Sequence, residues 1–379
     1  MRNKSAILSV ILFLSIFILL TSCGEQKAKW AGTIEEEDGI TIVRNPKIPI
    51  YSEEVFQLEE DLTIISPEDD ELMFQNLTTL VVDESENIYV TDTKAGHILT
   101  FDKNGDFVRT IGKRGQGPGE MTYPLDLVIM AQKELMVNDL GQAKLHFFTL
   151  EGEYLTQMTT SKYPAFRRPK SDAVGNIVVS HAIMDKPVKI FLKKIDSELN
   201  PLCEIASVVA ITQPPVIDYF EVSRTTSFVW NVLSTDEIIW GNFKKYEIFV
   251  CDPDGNCLRK IVKEDEGVLI TKEEEKKLIK NMYGDNPVPP SITLKFPDRY
   301  PPFIHFTCDE EGRILVYTYE KTEDDERNYY DVFDSEGKFI LRTTFKFWPQ
   351  VWKNSMMYCV EEDEDGFEVI KRYRVNWAI

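Results

Sequence analysis

The chain has 379 residues, of which 43% are hydrophobic and 11% aromatic, so it can bury a large core. Its formal net charge is −20. This charge argues against nucleic-acid binding, which needs clustered lysine and arginine, and against electrostatic docking onto anionic lipid. An acidic surface of this kind helps to keep a protein soluble.

The N-terminus has the pattern of a secretory signal. Arg2 and Lys4 precede residues 6–20, which are apolar except for Ser9 and Ser15. A membrane-spanning helix needs about 20 apolar residues, and this run is shorter. The pattern therefore predicts an export signal.

The end of this run, Leu20-Thr21-Ser22-Cys23-Gly24, resembles the lipobox of bacterial lipoproteins. The resemblance implies that residues 1–22 are a signal peptide and that Cys23 carries the acyl chains, palmitate among them. Residues 23–30 would then be a lipid-anchored linker. Gly24 in place of aspartate implies sorting to the outer membrane, on its periplasmic or surface side. An uncleaved anchor helix with an incidental cysteine is the alternative.

Five cysteines remain besides Cys23, and an odd number cannot all pair within the chain. Cys251 and Cys257 flank the turn sequence DPDGN, so they are predicted to face each other across a hairpin. A disulfide there is one possibility, and two packed thiols are the other. The chain has no C-x-x-C motif, which excludes zinc-ribbon, thioredoxin-like and c-type haem proteins.

A pair of β-hairpins recurs along the chain. The second hairpin of each unit is the clearer one, with glycine near the tip of its turn. Its copies lie at residues 101–107, 148–154, 250–258 and 333–339, and a degenerate fifth copy at 195–200 has Asn200 where the others have glycine. Copies of the first hairpin lie at 83–90, 172–179 and 309–316, with weaker ones at 133–137 and 236–240.

The repeat spacing predicts an all-β fold, a six-bladed β-propeller with four-stranded antiparallel blades. Gly105 and Gly152 are 47 residues apart, Gly152 and Asn200 are 48 apart, and Asn200 and Gly255 are 55 apart. A period of 40–50 residues with short strands is typical of propeller blades. The longer interval from Gly255 to Gly337 predicts an insertion at about residues 263–300.

The stretch from residue 80 to 124 resembles NHL repeats. The segments that carry the resemblance are IYVTD at 88–92, HILTFD at 97–102 and the glycine-rich GQGPGEM at 115–121. The whole chain resembles six-bladed propeller lipoproteins of Gram-negative bacteria, a family without one common activity. NHL propellers that bind RNA use basic faces, which this acidic chain lacks.

The domain is predicted to span residues 31–379, with five blades at about 77–345. The tail, 355–375, provides only two further strands. The head, 32–43, has the pattern strand, Asp-Gly turn, strand, and we expect it to complete the sixth blade with the tail. A blade shared between the termini leaves no open sheet edge.

The insertion contains one predicted helix. Thr271 and Glu274 have the spacing of a capping box, and Gly284 is a C-terminal stop. The helix is interpreted as a lid, a partner-docking element or a cover for apolar surface.

Candidate ligand-binding residues lie where strands end at one mouth of the channel. Asp92 and Asp139 follow the second strands of their blades, and His181 and Asn242 lie in the corresponding stretches of later blades. Together these side chains could bind a small ligand or cation. The alternative is that the aspartates cap turns. The four histidines occupy different repeat positions, so no histidine metal site is predicted.

The sequence contains no catalytic motif, and neither a metal nor another cofactor is predicted. We therefore expect a lipid-anchored, non-catalytic binding or scaffold module for a protein, peptide or glycan partner. The alternative is a propeller hydrolase or lyase with a metal-assisted site in the central channel. A propeller fold alone does not decide between them.

Overall fold

The computed structural model describes residues 29–52, 55–67, 72–183, 185, 188–209, 216–219, 228–324 and 327–379. The predicted signal peptide and Cys23 lie outside these residues. Among the described residues, no helix is both long and apolar enough to cross a membrane.

Six blades, each of four antiparallel strands, follow one another around the ring. The first blade contains β4 (Leu77–Val82), β5 (Ile88–Asp92), β6 (His97–Phe101) and β7 (Phe107–Ile111). The second contains β10 (Pro124–Ile129), β11 (Glu134–Asp139), β12 (Lys144–Thr149) and β13 (Tyr154–Thr159). The third contains β14 (Arg167–Ser171), β15 (Ile177–Ile183), β16 (Lys189–Ile195) and β17 (Pro201–Val209).

The fourth blade contains β19 (Phe228–Val232), β20 (Ile238–Asn242), β21 (Glu247–Cys251) and β22 (Cys257–Lys263). The fifth contains β24 (His305–Cys308), β25 (Ile314–Lys321), β26 (Asn328–Phe333) and β27 (Phe339–Phe345). The sixth contains β28 (Val351–Lys353), β29 (Met356–Glu362), β30 (Glu368–Trp377) and the N-terminal β3 (Phe56–Ile64). The predicted six-bladed propeller, with blades one to five at 77–345, is confirmed.

Six further strands of the described residues lie outside the blades or at their edges. They are β1 (Thr33–Glu37), β2 (Ile40–Asn45), β8 (Lys113–Arg114), β9 (Glu120–Met121) and the parallel pair β18 (Val216–Asp218) with β23 (Thr293–Lys295).

Burial differs between the middle and the outside of each blade because neighbouring blades cover both faces of the middle strands. Every residue of β5 and β6 in the first blade is buried. In the outermost strand β7, by contrast, only Ile111 is buried. The core is therefore a ring of apolar clusters between blades, for example that of Val90, Leu99, Tyr358 and Ile370 between blades one and six.

The recurring turns are held by an aspartate that accepts backbone hydrogen bonds. Oδ1 of Asp102 accepts from the N–H groups of Asn104 (2.8 Å) and Asp106 (2.9 Å), while Gly105 adopts φ of +87°. The same pair of hydrogen bonds recurs at Asp83, Asp172, Asp196, Asp252, Asp309, Asp334 and Asp363.

One detail of the predicted repeat was wrong. In the degenerate turn, the left-handed position is occupied by Leu199, with φ of +64°, and not by Asn200. Asn200 instead donates from its N–H and its side-chain amide to Asp196. The aspartate's three side-chain hydrogen bonds hold the turn although a leucine stands where glycine is favoured.

The N-terminal region runs along the outer rim of three blades, and we call residues 33–64 the N-terminal strap. Strand β2 pairs in parallel with β22, the outermost strand of blade four. Residues 50 and 51 donate backbone hydrogen bonds to Phe339 and Ile340 of blade five. Strand β3 then pairs antiparallel with β30 and closes blade six.

The expectation that residues 32–43 complete the sixth blade was therefore wrong. That segment does form the predicted hairpin, β1 and β2, but the hairpin extends blade four to six strands. The ring-closing strand is β3. The tail supplies the two expected strands, β29 and β30, and β28, which precedes the tail at Val351–Lys353, is the fourth strand of the blade. Both N-terminal segments can form strands, and the choice between them depends on which sheet edge each one reaches.

The predicted helix α1 spans Lys272–Tyr283, and its capping box of Thr271 and Glu274 and its C-cap Gly284 are confirmed. None of its residues is buried. The two ends of the insertion pair with each other, since Ile270 N–H donates to Asp298 and Tyr300 N–H to Val268. The Tyr300 ring stacks on Tyr319 of blade five at 4.5 Å, which fixes the insertion to the propeller.

We predict that Phe56→Ala lowers the free energy of unfolding by about 3–5 kcal/mol. Phe56 is 6% exposed and packs against Trp352, Trp377 and Phe345 where β3 joins blade six. Denaturant unfolding measures the change. The control is Phe367→Ala, at a side chain that is 65% exposed. Equal effects of the two substitutions would contradict ring closure by β3.

Candidate functional site

The upper face of the propeller carries the loops between the second and third strands of each blade and the connectors between blades. The predicted site residues Asp92, Asp139 and Asn242 end the second strands of blades one, two and four. His181 lies within the second strand of blade three. These residues belong to four different blades, so each is described in its own surroundings.

Both oxygens of Asp92 are occupied by backbone donors. The buried carboxylate accepts hydrogen bonds from the N–H groups of Gln75 (2.7 Å), Asn76 (3.1 Å) and Ala95 (3.0 Å). These contacts join the entry to the innermost strand with the loop after β5. The geometry is that of a structural cap.

Asp139 has the same role in blade two. It accepts from the N–H groups of Thr122 (2.7 Å), Tyr123 (2.9 Å) and Gly141 (2.9 Å) and from the side-chain amide of Gln142 (2.9 Å). Nε2 of the buried His146 lies 3.8 Å from its Oδ2. The arrangement of backbone donors around Asp92 in blade one therefore recurs around Asp139 in blade two.

His181 is buried among aromatic rings. Its imidazole stacks on Phe191 with ring centroids 5.3 Å apart and meets Tyr163 edge-on at 5.0 Å. Burial lowers the pKa of His181 to about 4, so its ring is neutral near pH 7. Neither ring nitrogen has a hydrogen-bond partner among the described residues.

Among the four predicted site residues, Asn242 is the one that lines the cavity described next. The cavity has a volume of about 830 Å³ and lies between the upper face of blade four and the base of the insertion. Its walls are Val208, Val209 and residues 242–247, 262–263, 265–267 and 297–302. Volumes of 300–1,000 Å³ are typical of small-ligand sites.

Two residues of the cavity lining, Tyr246 and Lys263, belong to a buried ionic network between blades four and five. Lys263 Nζ lies 2.9 Å from Asp331 Oδ2, to which the hydroxyl of Tyr246 donates at 2.8 Å. Arg342 Nε lies 3.3 Å from the other oxygen of Asp331. Burial and the adjacent Asp331 raise the pKa of Tyr246 well above its usual value, so it remains a hydroxyl donor. The network holds both of these lining residues in place.

The cavity mouth carries charges of both signs. Lys244 and Lys245 are exposed, and neither ammonium forms an ion pair with a described residue. Arg299 donates to the carbonyl of Gly267 at 2.6 Å. The lining contains four basic and four acidic side chains, the latter being Glu247, Asp265, Glu266 and Asp298. This balance makes the cavity less negative than the surface of a chain with a net charge of −20.

The central channel contains charged residues that the sequence analysis did not single out. They are Asp126 of β10 and Arg168 and Lys170 of β14, all partly accessible. No repeat signal marked them, because the RRPKS sequence of β14 lacks the alternation of a typical strand.

Cys251 and Cys257 lie opposite each other in the outer hairpin of blade four, as predicted, and both are free thiols in the structure. A hydrogen bond from the Cys251 thiol stabilises the Cys257 thiolate, which lowers the pKa of Cys257 to about 7 and raises that of Cys251. The disulfide between them stays a prediction.

The histidines lie on four different blades: His97 on β6, His146 on β12, His181 on β15 and His305 on β24. Within the described part of the chain, no group of three or more His, Cys, Asp or Glu side chains is arranged to hold a metal ion.

Comparison with known proteins shows similarity at the level of the fold. The family model of DUF5128, described as a 6-bladed beta-propeller, matches residues 65–170, which include the first two blades. None of the curated proteins compared matches the chain.

Two solved structures are similar over nearly their whole length. One, from Bacteroides fragilis NCTC 9343, is provisionally classed as an exported protein; it has a TM-score of 0.58 and 10% identity and covers 88% of this chain and 99% of its own. A DUF4221 family member from Bacteroides vulgatus has a TM-score of 0.51 and 13% identity and covers 85% and 99%. At these identities the likeness concerns the fold alone.

A virginiamycin B lyase from Staphylococcus aureus also matches, with a TM-score of 0.44, 10% identity and coverage of 85% of this chain and 99% of its own. This similarity is too low to support an argument about activity.

We predict that Asp139→Ala lowers the free energy of unfolding by about 3 kcal/mol or more, because several buried donors lose their acceptor. Thermal and denaturant unfolding measure the loss. Asp106→Ala is the control, since the exposed Asp106 side chain accepts no hydrogen bond from any residue that the structure describes.

Treatment of the wild-type protein with EDTA should leave its melting temperature unchanged, because a structural cap needs no ion. An EDTA-induced loss of stability equal to that of Asp139→Ala would instead indicate a metal site at this carboxylate.

Proposed function

We propose that the protein is a lipid-anchored binding module of the cell envelope, and that its ligand occupies the cavity between blade four and the insertion. The partner is a peptide, a glycan or an exposed segment of a protein. The observation that carries the proposal is the cavity of about 830 Å³. An ionic network fixes Tyr246 and Lys263 of its lining, and the two lysines at its mouth form no ion pair with a described residue.

The walls suit a polar ligand with an apolar part. Phe243 and the prolines at 297, 301 and 302 offer apolar contact, while Lys244 and Lys245 offer donors. Pockets that combine apolar area with a few placed polar groups bind ligands specifically. The balanced charges favour neutral or zwitterionic partners such as peptides and sugars over strongly charged polymers.

The cavity also lies where a rigid scaffold usually carries recognition. Its walls come from a loop, two connectors and the insertion, which are the variable parts of a repeat fold. Strands β20 and β21 hold the loop 242–247 at a fixed position. Substitutions in these walls can therefore change the ligand without disturbing the blades.

The support for the lipid anchor and for the membrane location comes from the sequence. The lipobox-like residues 20–24 support acylation at Cys23, and several acyl chains hold a protein firmly to a bilayer. Gly24 supports the outer membrane as the destination. We propose no metal-assisted hydrolase or lyase, since no observation on the described residues favours one.

We predict that Val209→Trp abolishes ligand binding, because Val209 lines the cavity and an indole at this position fills part of it. A peptide library and a glycan array, each probed with the purified protein, measure binding. Leu202→Trp is the matched control: it lies on the same strand β17 and is 52% exposed, against 47% for Val209, but does not line the cavity.

Binding to a peptide or glycan that is lost in Val209→Trp and kept in Leu202→Trp supports the proposal. Wild-type protein that binds neither class, or binding that survives both substitutions, contradicts it.

We predict that Cys23→Ser blocks lipid attachment and leaves residues 1–22 uncleaved. Mass spectrometry of the N-terminus in expressed wild type and variant measures both. Cys203→Ser, on strand β17, should be processed like the wild type. An intact segment 1–22 on the wild-type protein would rule out the anchor.

A further inference from the structure

The outer hairpin of a blade contains one pair of directly opposed residues beside its turn. In three blades both residues are aromatic, with ring centroids 5.4 to 6.0 Å apart: Phe101 with Phe107, Phe148 with Tyr154, and Phe333 with Phe339. A β-bulge in the outer strand accompanies the pair each time. In blade four the corresponding position, with the same bulge, is occupied by Cys251 and Cys257. The repeat geometry therefore directs these two thiols toward each other.

The backbone distance at this position suits a disulfide. Directly opposed residues of an antiparallel pair have Cα atoms about 4.5–5.5 Å apart, and disulfides span Cα separations of about 4.4–6.8 Å. Both cysteines are free thiols in the structure, and the Cys251 thiol donates a hydrogen bond to the sulfur of Cys257. The two sulfurs can therefore be joined without a rearrangement of the strands.

The two thiols differ in accessibility. Cys251 is 1% exposed and belongs to the apolar cluster between blades three and four. Cys257 precedes the part of β22 that pairs with the strap, and it is partly accessible. An external reagent therefore reaches Cys257 first. The pKa of Cys257 is lowered to about 7 by the hydrogen bond from Cys251, so much of this accessible thiol is in the nucleophilic thiolate form near neutral pH.

The hairpin does not depend on a disulfide for its shape. Oδ1 of Asp252 accepts hydrogen bonds from the N–H groups of Asp254 (3.0 Å) and Asn256 (2.8 Å), which hold the turn. A disulfide here would enclose only residues 252–256, and the stabilisation expected from a disulfide decreases as the enclosed loop becomes shorter. The bond can therefore form and break while the hairpin stays in place.

We propose that Cys251 and Cys257 form a thiol–disulfide exchange site, which takes small disulfides as its substrate. The site lies at one end of strands β21 and β22, while Glu247 and Lys263, at the other ends of these strands, line the cavity. It is therefore separate from the cavity, and it does not depend on the proposed function.

The exchange has two steps. The Cys257 thiolate attacks one sulfur of the small disulfide, so that a mixed disulfide forms, the S–S bond of the substrate breaks and one thiolate leaves. Cys251 then loses its proton to solvent and attacks the sulfur of Cys257, which expels the second thiolate. The protein loses two electrons and two protons, and the substrate gains them and becomes two thiols. The reverse sequence, with a small thiol as the reductant, reopens the bond.

Cys203 provides a matched control in the neighbouring blade. Its sulfur lies at the same turn, 3.2 Å from the position that a Cβ on Gly255 would take. It is also partly accessible, but the residue opposite it on the adjacent strand is Lys194. Burial raises the pKa of the Cys203 thiol. Cys203 therefore shares the location of the pair but has neither an opposed thiol nor a readily formed thiolate.

Oxidised glutathione is the probe for this site. Incubation of the reduced full-length protein with it, followed by alkylation and peptide mass spectrometry, should give the Cys251–Cys257 disulfide and two molecules of reduced glutathione per protein. Excess reduced glutathione should reopen the bond. The rate of oxidation should rise with pH and be half-maximal near pH 7, because the pKa of Cys257 is about 7.

Three substitutions separate the roles of the thiols. Cys251→Ser should leave a stable mixed disulfide of glutathione on Cys257, because no second thiol resolves it. Cys257→Ser should slow the oxidation of Cys251 at least about tenfold, since that sulfur is buried. Cys203→Ser is the control and should form the Cys251–Cys257 disulfide at the wild-type rate.

Wild-type protein that takes up glutathione without forming the Cys251–Cys257 disulfide overturns the proposal. So does a disulfide that excess reduced glutathione fails to reopen, or glutathione uptake at Cys203 as fast as at Cys257. All three outcomes are measured on the wild type, so none depends on the folding of a variant. Binding in the cavity is tested separately by Val209→Trp, so either proposal can fail while the other stands.

Discussion

The structure depends on one constraint: the last sheet edge of the ring must be paired. A propeller buries both faces of each blade only if the ring is closed, and here the pairing of β3 with β30 closes it. The same N-terminal strap contacts the outer edges of blades four, five and six in turn. One segment thus joins three blades, and the apolar contacts of Phe56 with Trp352 and Trp377 stabilise the last junction.

Hydrogen bonds from the backbone to aspartate hold both faces of the ring. In the lower turns, carboxylates such as Asp102 and Asp252 accept from the backbone two and four residues further on. On the upper face, Asp92 and Asp139 connect loops that are distant in sequence. Many of the 63 acidic residues are therefore used to satisfy backbone donors. An acidic residue in this chain is weak evidence for a ligand site unless its oxygens remain available.

Binding is proposed where charged side chains have no ion-pair partner among the described residues. Lys263 shows the opposite situation, because Asp331 and Tyr246 complete its network and fix its position. Lys244 and Lys245 at the cavity mouth lack such partners among the described residues. Cations of this kind remain available to a ligand that supplies acceptors. A charged side chain with a full set of partners, such as Lys263, has a structural role. A charged side chain without an ion-pair partner among the described residues is a candidate for ligand binding.

Local interactions in this protein could be predicted from the sequence, because they depend on residues that are close in the chain. The hairpin turns, the blade period and the capping box of Thr271 and Glu274 are of this kind, and so is the pairing of Cys251 with Cys257 across its hairpin. Even there, the left-handed turn position was placed at Asn200 and belongs to Leu199, since the aspartate cap tolerates a residue that glycine preference alone would exclude.

Only the tertiary structure decided which distant groups meet. Residues 33–45 and 56–64 both have strand patterns, and the closing strand was set by which one reaches the edge of β30. The charged residues of the channel were equally hidden, because Asp126 and Lys170 lie on different blades and no spacing in the chain relates them. Alternation and turn residues determine which segments become strands and hairpins. The ring's geometry, which brings residues far apart in sequence together, decides which of them line the channel and the cavity.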